Sequence, residues 1–299
     1  MVNNLKTYFA RFPPSVQGAI WMTTSAVFFS LQAGIVRYLA KEIHFIEISF
    51  FRAIFGVAIM LPWLARAGLS GLRTSNTKLY LWRGFLGTFA MFGYFGGLAL
   101  IPLADATAIS FTFPLFIALF GVLILKEPAH LTRWIALFIG FAGTLIVIRP
   151  GFQEFNIGTV MVVGAGVLVA TSAIILKITL RKDRPDQAAL YQALYMLPFS
   201  FIAVLFVWEW PTWEQWFWGF MLGALSTTAQ RLYSRAFTTG DVGSVAPFDF
   251  TRLPFVIAIG FVIFSELPDL WTIVGATIIF SASIYAGRTE TTRRQPSKL

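Results

Sequence analysis

The chain has 299 residues, 57% of them apolar and only 12% charged, with a net charge of +9 and a mean hydropathy of +0.72. An average soluble domain is roughly a quarter charged, so an ordinary water-facing surface is excluded. The absence of cysteine excludes disulfides, thiolate metal sites and cysteine nucleophiles, and the basic residues are scattered between apolar runs instead of forming the stripe that a nucleic-acid partner requires.

The opening segment, "MVNNLKTYFARFPPSVQG", is polar and basic. It leads into an apolar run long enough to span, without a clear cleavage site, and reads as an uncleaved first helix. Apolar runs then succeed one another near residues 16–36, 46–64, 79–101, 106–125, 131–148, 157–176, 188–207, 216–237, 242–264 and 270–286, ten in all. Each is about long enough to cross a hydrocarbon core of roughly 30 Å, the fifth and tenth needing flanking side chains to snorkel. With the first helix entering from the cytoplasm, fifteen of the 23 Lys and Arg residues fall on the cytoplasmic side, among them Lys6, Arg11, Arg73, Arg181, Lys182 and Arg294, and only Arg37, Lys41 and Arg149 on the other. The positive-inside rule therefore predicts a multi-pass protein of the cytoplasmic (inner) membrane with both termini cytoplasmic.

An internal repeat organises the ten runs. "FIALFGVLILKEP" at 116–128 is echoed by "VIAIGFVIFSELP" at 256–268, which sets Glu127 and Glu266 139 residues apart, and Met60-Leu61-Pro62 recurs as Met196-Leu197-Pro198. Five helices per repeat fit these spacings. Because five is odd, the second half must enter from the opposite face, which gives inverted topology about an axis in the membrane plane. The expected fold is an all-α integral membrane protein of ten transmembrane helices in two inverted five-helix repeats. Residues 1–150 form the first repeat with a cytoplasmic tail at 1–15, residues 151–287 the second, and 288–299 a cytoplasmic tail.

Three stretches carry a family resemblance: "EISFFRAIFG" in segment two, "GYFGGLALIPLADATAISFTFPLFIALFGVLILKEP" across segments three and four, and "APFDFTRLPFVIAIGFVIFSELPDLWTIVGATIIF" across nine and ten. In order and spacing they resemble the drug/metabolite transporter superfamily, specifically its EamA-type members with two five-helix repeats. The resemblance implies alternating-access transport of a small metabolite, such as an amino acid, a nucleoside-like compound or a vitamin. The last stretch looks most like a bacterial subgroup that includes S-adenosylmethionine and riboflavin carriers.

Charges inside hydrocarbon cost roughly 2.5 to 3.5 kcal/mol at a helix centre and so tend to face protein or water. The candidates are Arg52, Arg231, and Asp249 with Arg252, whose three-residue spacing puts acid and base on one helical face. Mutual neutralisation and substrate binding are both open for that pair. Arg52 could also reach an interface or pair two helices. Gln230 and Tyr233 belong to a polar face of segment eight with Ser226, Thr227 and Thr228; Tyr191 and Tyr195 lie on segment seven with Gln192; Tyr94 and Trp21 complete the set. These side chains fit either a cavity or helix packing. Arg83, Lys177 and Arg235 read as topological anchors. The tryptophans at 208, 210, 213, 216 and 218 read as an interfacial belt. Pro114 and Pro254 interrupt corresponding helices, the best sequence pointer to a midplane site. Gly93, Gly97, Gly219 and Gly223 suit close helix packing, within a monomer or a homodimer. Asp105 reads as a helix N-cap, and Glu127 and Glu266 as tethers for the helices that follow them, with a gate as the second reading.

No metal or phosphate-loop motif accompanies these residues, so neither an enzyme nor a cofactor is expected. A carboxylate-based membrane enzyme and a non-transporting scaffold remain the competing classes. The expected partners are a small-molecule substrate, the lipid bilayer, and a coupling proton or exchanged solute.

Overall fold

The computed structural model describes residues 12, 14–68, 72–126, 131–148, 156–239, 246–278 and 280–281. Glu127, His130 and Arg149, most of the N-terminal tail, the C-terminal tail and the end of the last segment lie outside the described residues. The described chain is helical throughout: α1 (Pro14–Leu39), α2 (Phe45–Ala67), α3 (Thr77–Leu100), α4 (Leu103–Ser110), α5 (Phe113–Leu125), α6 (Leu131–Ile148), α7 (Ile157–Thr179), α8 (Pro185–Val204), α9 (Trp213–Thr239), a 3-10 helix (Ala246–Thr251), α10 (Arg252–Phe264) and a last helix over 270–278. Among the described residues five stretches are long and apolar enough to cross a membrane: Val16–Leu39, Phe45–Ala67, Leu103–Ile124, Ile157–Thr179 and Pro185–Val204. The His44 imidazole accepts the Ile46 N–H at the start of α2, and Asn156 accepts the Gly158 N–H at the start of α7, so polar caps satisfy backbone donors at the ends of these spans.

The fourth and ninth spans are each broken. The fourth divides at Phe111 and Thr112, leaving Pro114 in the first turn of α5; the ninth passes from the 3-10 helix into α10, leaving Pro254 in the first turn there. A first-turn proline sacrifices no intrahelical donor, so the expected mid-helix interruptions are helix starts instead. Both α5 and α10 end on a non-glycine residue in left-handed conformation, Lys126 with φ 53° and Ser265 with φ 56°. These two residues hold equivalent places in the repeat.

The packing repeats as the sequence does. α3 lies along α7 as α9 lies along α1, α5 packs on α7 as α10 packs on α1, and α2 meets α8 between the two lobes. Gly93 makes this approach possible, because a Cβ there would stand 2.7 Å from the Met161 carbonyl oxygen; Gly219 likewise faces Phe51 and Gly223 faces Phe55. These contacts lie within one chain. Association of apolar helices in lipid rests on such close van der Waals contact, there being no water to expel.

Besides contacts in the interior, two opposite faces each hold a set of polar contacts between elements. One holds Arg37, Glu42, Leu103, Asp105, Gln215, Glu266 and Thr272; the other holds Leu72, Thr74, Asn76, Asp183, Asp186, Gln187 and Arg231. α1 ends at the first face, with the Arg37 guanidinium on the carbonyls of Leu98 and Ala99. α7 starts there, with Gly158 against Leu100 and Ile101. Corresponding helices thus run in opposite senses, and the two halves are inverted.

Candidate functional site

The candidate site is built on the ninth span. Asp249 ends its side chain one turn before Arg252, at the junction of the 3-10 helix and α10, and the two form an ion pair with N–O distances of 2.7 and 2.5 Å and side chains only 13% and 15% exposed. The shared helical face expected from the spacing is realised. The guanidinium carbon sits 5.2 Å from the centre of the Phe29 ring on α1, an attraction between a cation and an aromatic face, and Phe29 in turn meets Tyr233 of α9 edge-on at 6.2 Å. Ser30 donates to the Arg252 carbonyl at 3.2 Å, tying the start of α10 to α1. The Arg252 Nε is buried without a hydrogen-bond partner in the protein, and so is the Tyr94 hydroxyl on α3. Both Tyr94 and Tyr233 lie within electrostatic range of the guanidinium. Gln230, one turn before Ser234 on α9, is half-buried. The ion pair is thus surrounded by α1, α3 and α9, elements of both repeats.

Other predicted side chains sit elsewhere. Arg231 donates from Nε to Asp186 at 2.6 Å, and Arg235 stands 3.5 Å from the same carboxylate while lying over the Trp21 ring at 5.6 Å. Arg231 and Trp21 therefore belong to the Asp183 face, not beside Arg252. Tyr191 and Tyr195 stack on one another, and Tyr191 on Tyr80 at 4.7 Å, with the Tyr191 hydroxyl donating to the Leu72 carbonyl at 2.5 Å. Gln192 also faces α3: it stands against Gly87 as Tyr195 stands against Gly84, and its amide donates to the Met196 sulfur at 3.1 Å. Arg52 is buried at 7% exposure and donates to the same sulfur at 3.3 Å, so it pairs helices and does not reach an interface.

Several expectations need correction. Arg83 is no surface anchor: it is 3% exposed and donates to the Ala188 carbonyl at 3.0 Å. Its place near the polar end of an apolar run concealed this, because α3 starts at Thr77 and packs that end against α8. Asp105 lies in the first turn of α4, after Pro102 at the cap, and accepts from Thr272 at 2.7 Å. Glu266 does not hold the following helix, whose Thr272 N–H is taken by Asp269; it accepts from Arg37 and from the Leu103 N–H. The tryptophans divide: Trp210 and Trp213 are 86% and 91% exposed, whereas Trp208 and Trp216 pack on Phe51. Phe29 and Ser30 carry no sequence signal, because nothing in an apolar run marks which phenylalanine lies under a cation.

The EamA-like transporter family matches residues 16–149 and again 156–287. The chain belongs to that family. Among its EamA relatives, the S-adenosylmethionine uptake transporter of Rickettsia bellii is 31% identical over 90% of this chain and 92% of its own. The riboflavin transporter of Vibrio cholerae is 27% identical over 94% of this chain and 96% of its own. A solved crystal structure superposes with a TM-score of 0.67, covering 93% of this chain and 99% of the other at 19% identity, a likeness of fold alone. Two matches of one family, one per repeat, are what an EamA chain of two five-helix halves requires.

Proposed function

We propose that this EamA-family chain is a secondary transporter, without catalytic activity, that moves a small organic metabolite across the cytoplasmic membrane by alternating access. One observation carries the reading: a buried Asp249–Arg252 ion pair at the start of a broken helix, enclosed by helices of both inverted repeats. Transported-molecule names among the relatives, S-adenosylmethionine and riboflavin, support a planar or zwitterionic organic cargo. The working site is Asp249, Arg252, Tyr233, Gln230 and Tyr94. Arg252 would grip an anionic group in a two-pronged geometry and Asp249 a cationic one or a coupling proton. The repeats are taken as 1–150 and 151–287, with cytoplasmic tails and a monomeric or homodimeric unit.

The test is uptake of radiolabelled S-adenosylmethionine, riboflavin and amino acids by proteoliposomes carrying the full chain. Flux of one of these solutes is expected, reduced at least about tenfold by Arg252→Gln or Asp249→Asn, because each change leaves a buried charge unpaired beside the cargo. Arg66→Gln, at an exposed position, is the control and should be unaffected. Equal flux in all four proteins would remove this site assignment.

A further inference from the structure

Two buried arginines lie outside the Asp249–Arg252 pair, and neither has a carboxylate partner among the described residues: Arg52 of α2, 7% exposed, and Arg83 of α3, 3% exposed. A guanidinium presents five N–H donors and stays charged in proteins. Among the described residues, one nitrogen of each is engaged. Arg52 Nη1 donates to the Met196 sulfur, a weak acceptor, and Arg83 Nη1 to the Ala188 carbonyl. The Nε atoms of both are buried with no partner in the protein, as is Gln192 Oε1.

These groups converge on one face of α8. Ala188, Gln192 and Met196 follow one another at four-residue steps, so Arg83 is held one turn to one side of Gln192 and Arg52 one turn to the other, about 12 Å apart along the helix at their attachment points. The two side chains approach from different helices, and both Arg52 and Tyr233 lie within electrostatic range of Arg83. Two like charges buried along one face of α8, each with an unpartnered Nε, oppose folding unless an anion joins them. Tyr233 also belongs to the Arg252 site, which makes this pair a second station of the same polar interior.

We propose that Arg52 and Arg83 form an anion subsite that holds a carboxylate of the transported metabolite, so that the cargo is a carboxylate-bearing molecule. The inference rests on the transporter reading for its cargo, but its test is binding, not flux.

Thermal unfolding of the full-length protein in detergent, followed by tryptophan fluorescence at fixed ionic strength, would be measured with probe pairs that differ in a carboxylate. The pairs are S-adenosylmethionine and its decarboxylated form, L-methionine and methioninol, and L-tryptophan and tryptamine. At least one carboxylate probe should stabilise the protein with an affinity about tenfold or more above its twin. Arg52→Gln and Arg83→Gln should each abolish that preference, while Arg66→Gln keeps it. Because a variant could fail to fold, the wild-type protein is also treated with phenylglyoxal and its modified arginines located by mass spectrometry. The carboxylate probe should shield Arg52 and Arg83, and its twin should not. No preference in any pair, an unchanged preference in both variants, or equal shielding by chloride or phosphate would overturn the subsite. Carboxylate-selective binding without liposome flux would sink the transporter reading alone; flux without that selectivity would sink this one.

Discussion

Glu266 shows how one side chain can join several helices. Its Oε1 accepts from Arg37 Nε and Nη2 at 3.1 and 2.7 Å, and its Oε2 accepts the Leu103 N–H at 2.9 Å, so α1, α4 and the end of α10 meet on a single carboxylate. The two side chains are 19% and 21% exposed, so solvent screens the pair only in part. Glu266→Ala would leave Arg37 to the carbonyls of Leu98 and Ala99 alone and strip the first N–H of α4 of its acceptor. Loss of a mostly buried partner of this kind costs about 2–3 kcal/mol. The expected outcome is a lower unfolding temperature in detergent, with Arg37→Gln much less damaging in the Glu266→Ala background than in the wild type; strictly additive losses would contradict the shared network.

Helix pairs are set by where a side chain is missing. Gly93 of α3 faces the backbone of α7, and a Cβ there would stand 2.7 Å from the Met161 carbonyl oxygen and 3.1 Å from the Ala165 Cβ, atoms that cannot swing aside. Gly164, on α7 itself, has nothing within 4 Å of its would-be Cβ. Gly93→Ala should therefore destabilise by about 1–3 kcal/mol, the range for overpacking, whereas Gly164→Ala should leave the unfolding temperature unchanged or raise it through helix propensity. Equal effects would refute the α3–α7 contact. This level was largely legible in the sequence: apolar length placed the helices, and the echo of 116–128 in 256–268 marked the repeat, whereas the prolines at 114 and 254 start helices and the left-handed ends at Lys126 and Ser265 carry no sequence mark. The site was legible only where a local rule applied. Asp249 and Arg252 announce themselves by three-residue spacing, but the burial of Arg83 depends on α8 covering it, and Glu266 on partners 163 and 229 residues away. Such contacts are created by the assembly of helices, and no window of sequence contains them.

The whole molecule is two lobes, α1 with α9 and α10, and α3 with α5 and α7, held apart and together by the α2–α8 pair. At one face the lobes are tied by Arg37 to the end of α3, by Glu266 to α4, and by Thr272 to Asp105. At the other, Thr74 and Asn76 both donate to Asp183, joining the loop after α2 to the loop after α7. Inversion requires those two loops to share a side of the membrane and the loop between α8 and α9 to lie on the other. By the positive-inside rule, the basic residues at 181, 182 and 184 predict that the Asp183 face is cytoplasmic. Because the chain lacks cysteine, single cysteines can report this without background. Glu209→Cys and Lys182→Cys, both at exposed positions, would be treated with a membrane-impermeant maleimide in intact spheroplasts and again after permeabilisation. Glu209→Cys should label at once and Lys182→Cys only after permeabilisation. Labelling of both from outside would place the two loops on one side, and no arrangement of five-helix repeats in opposite senses could then accommodate the chain.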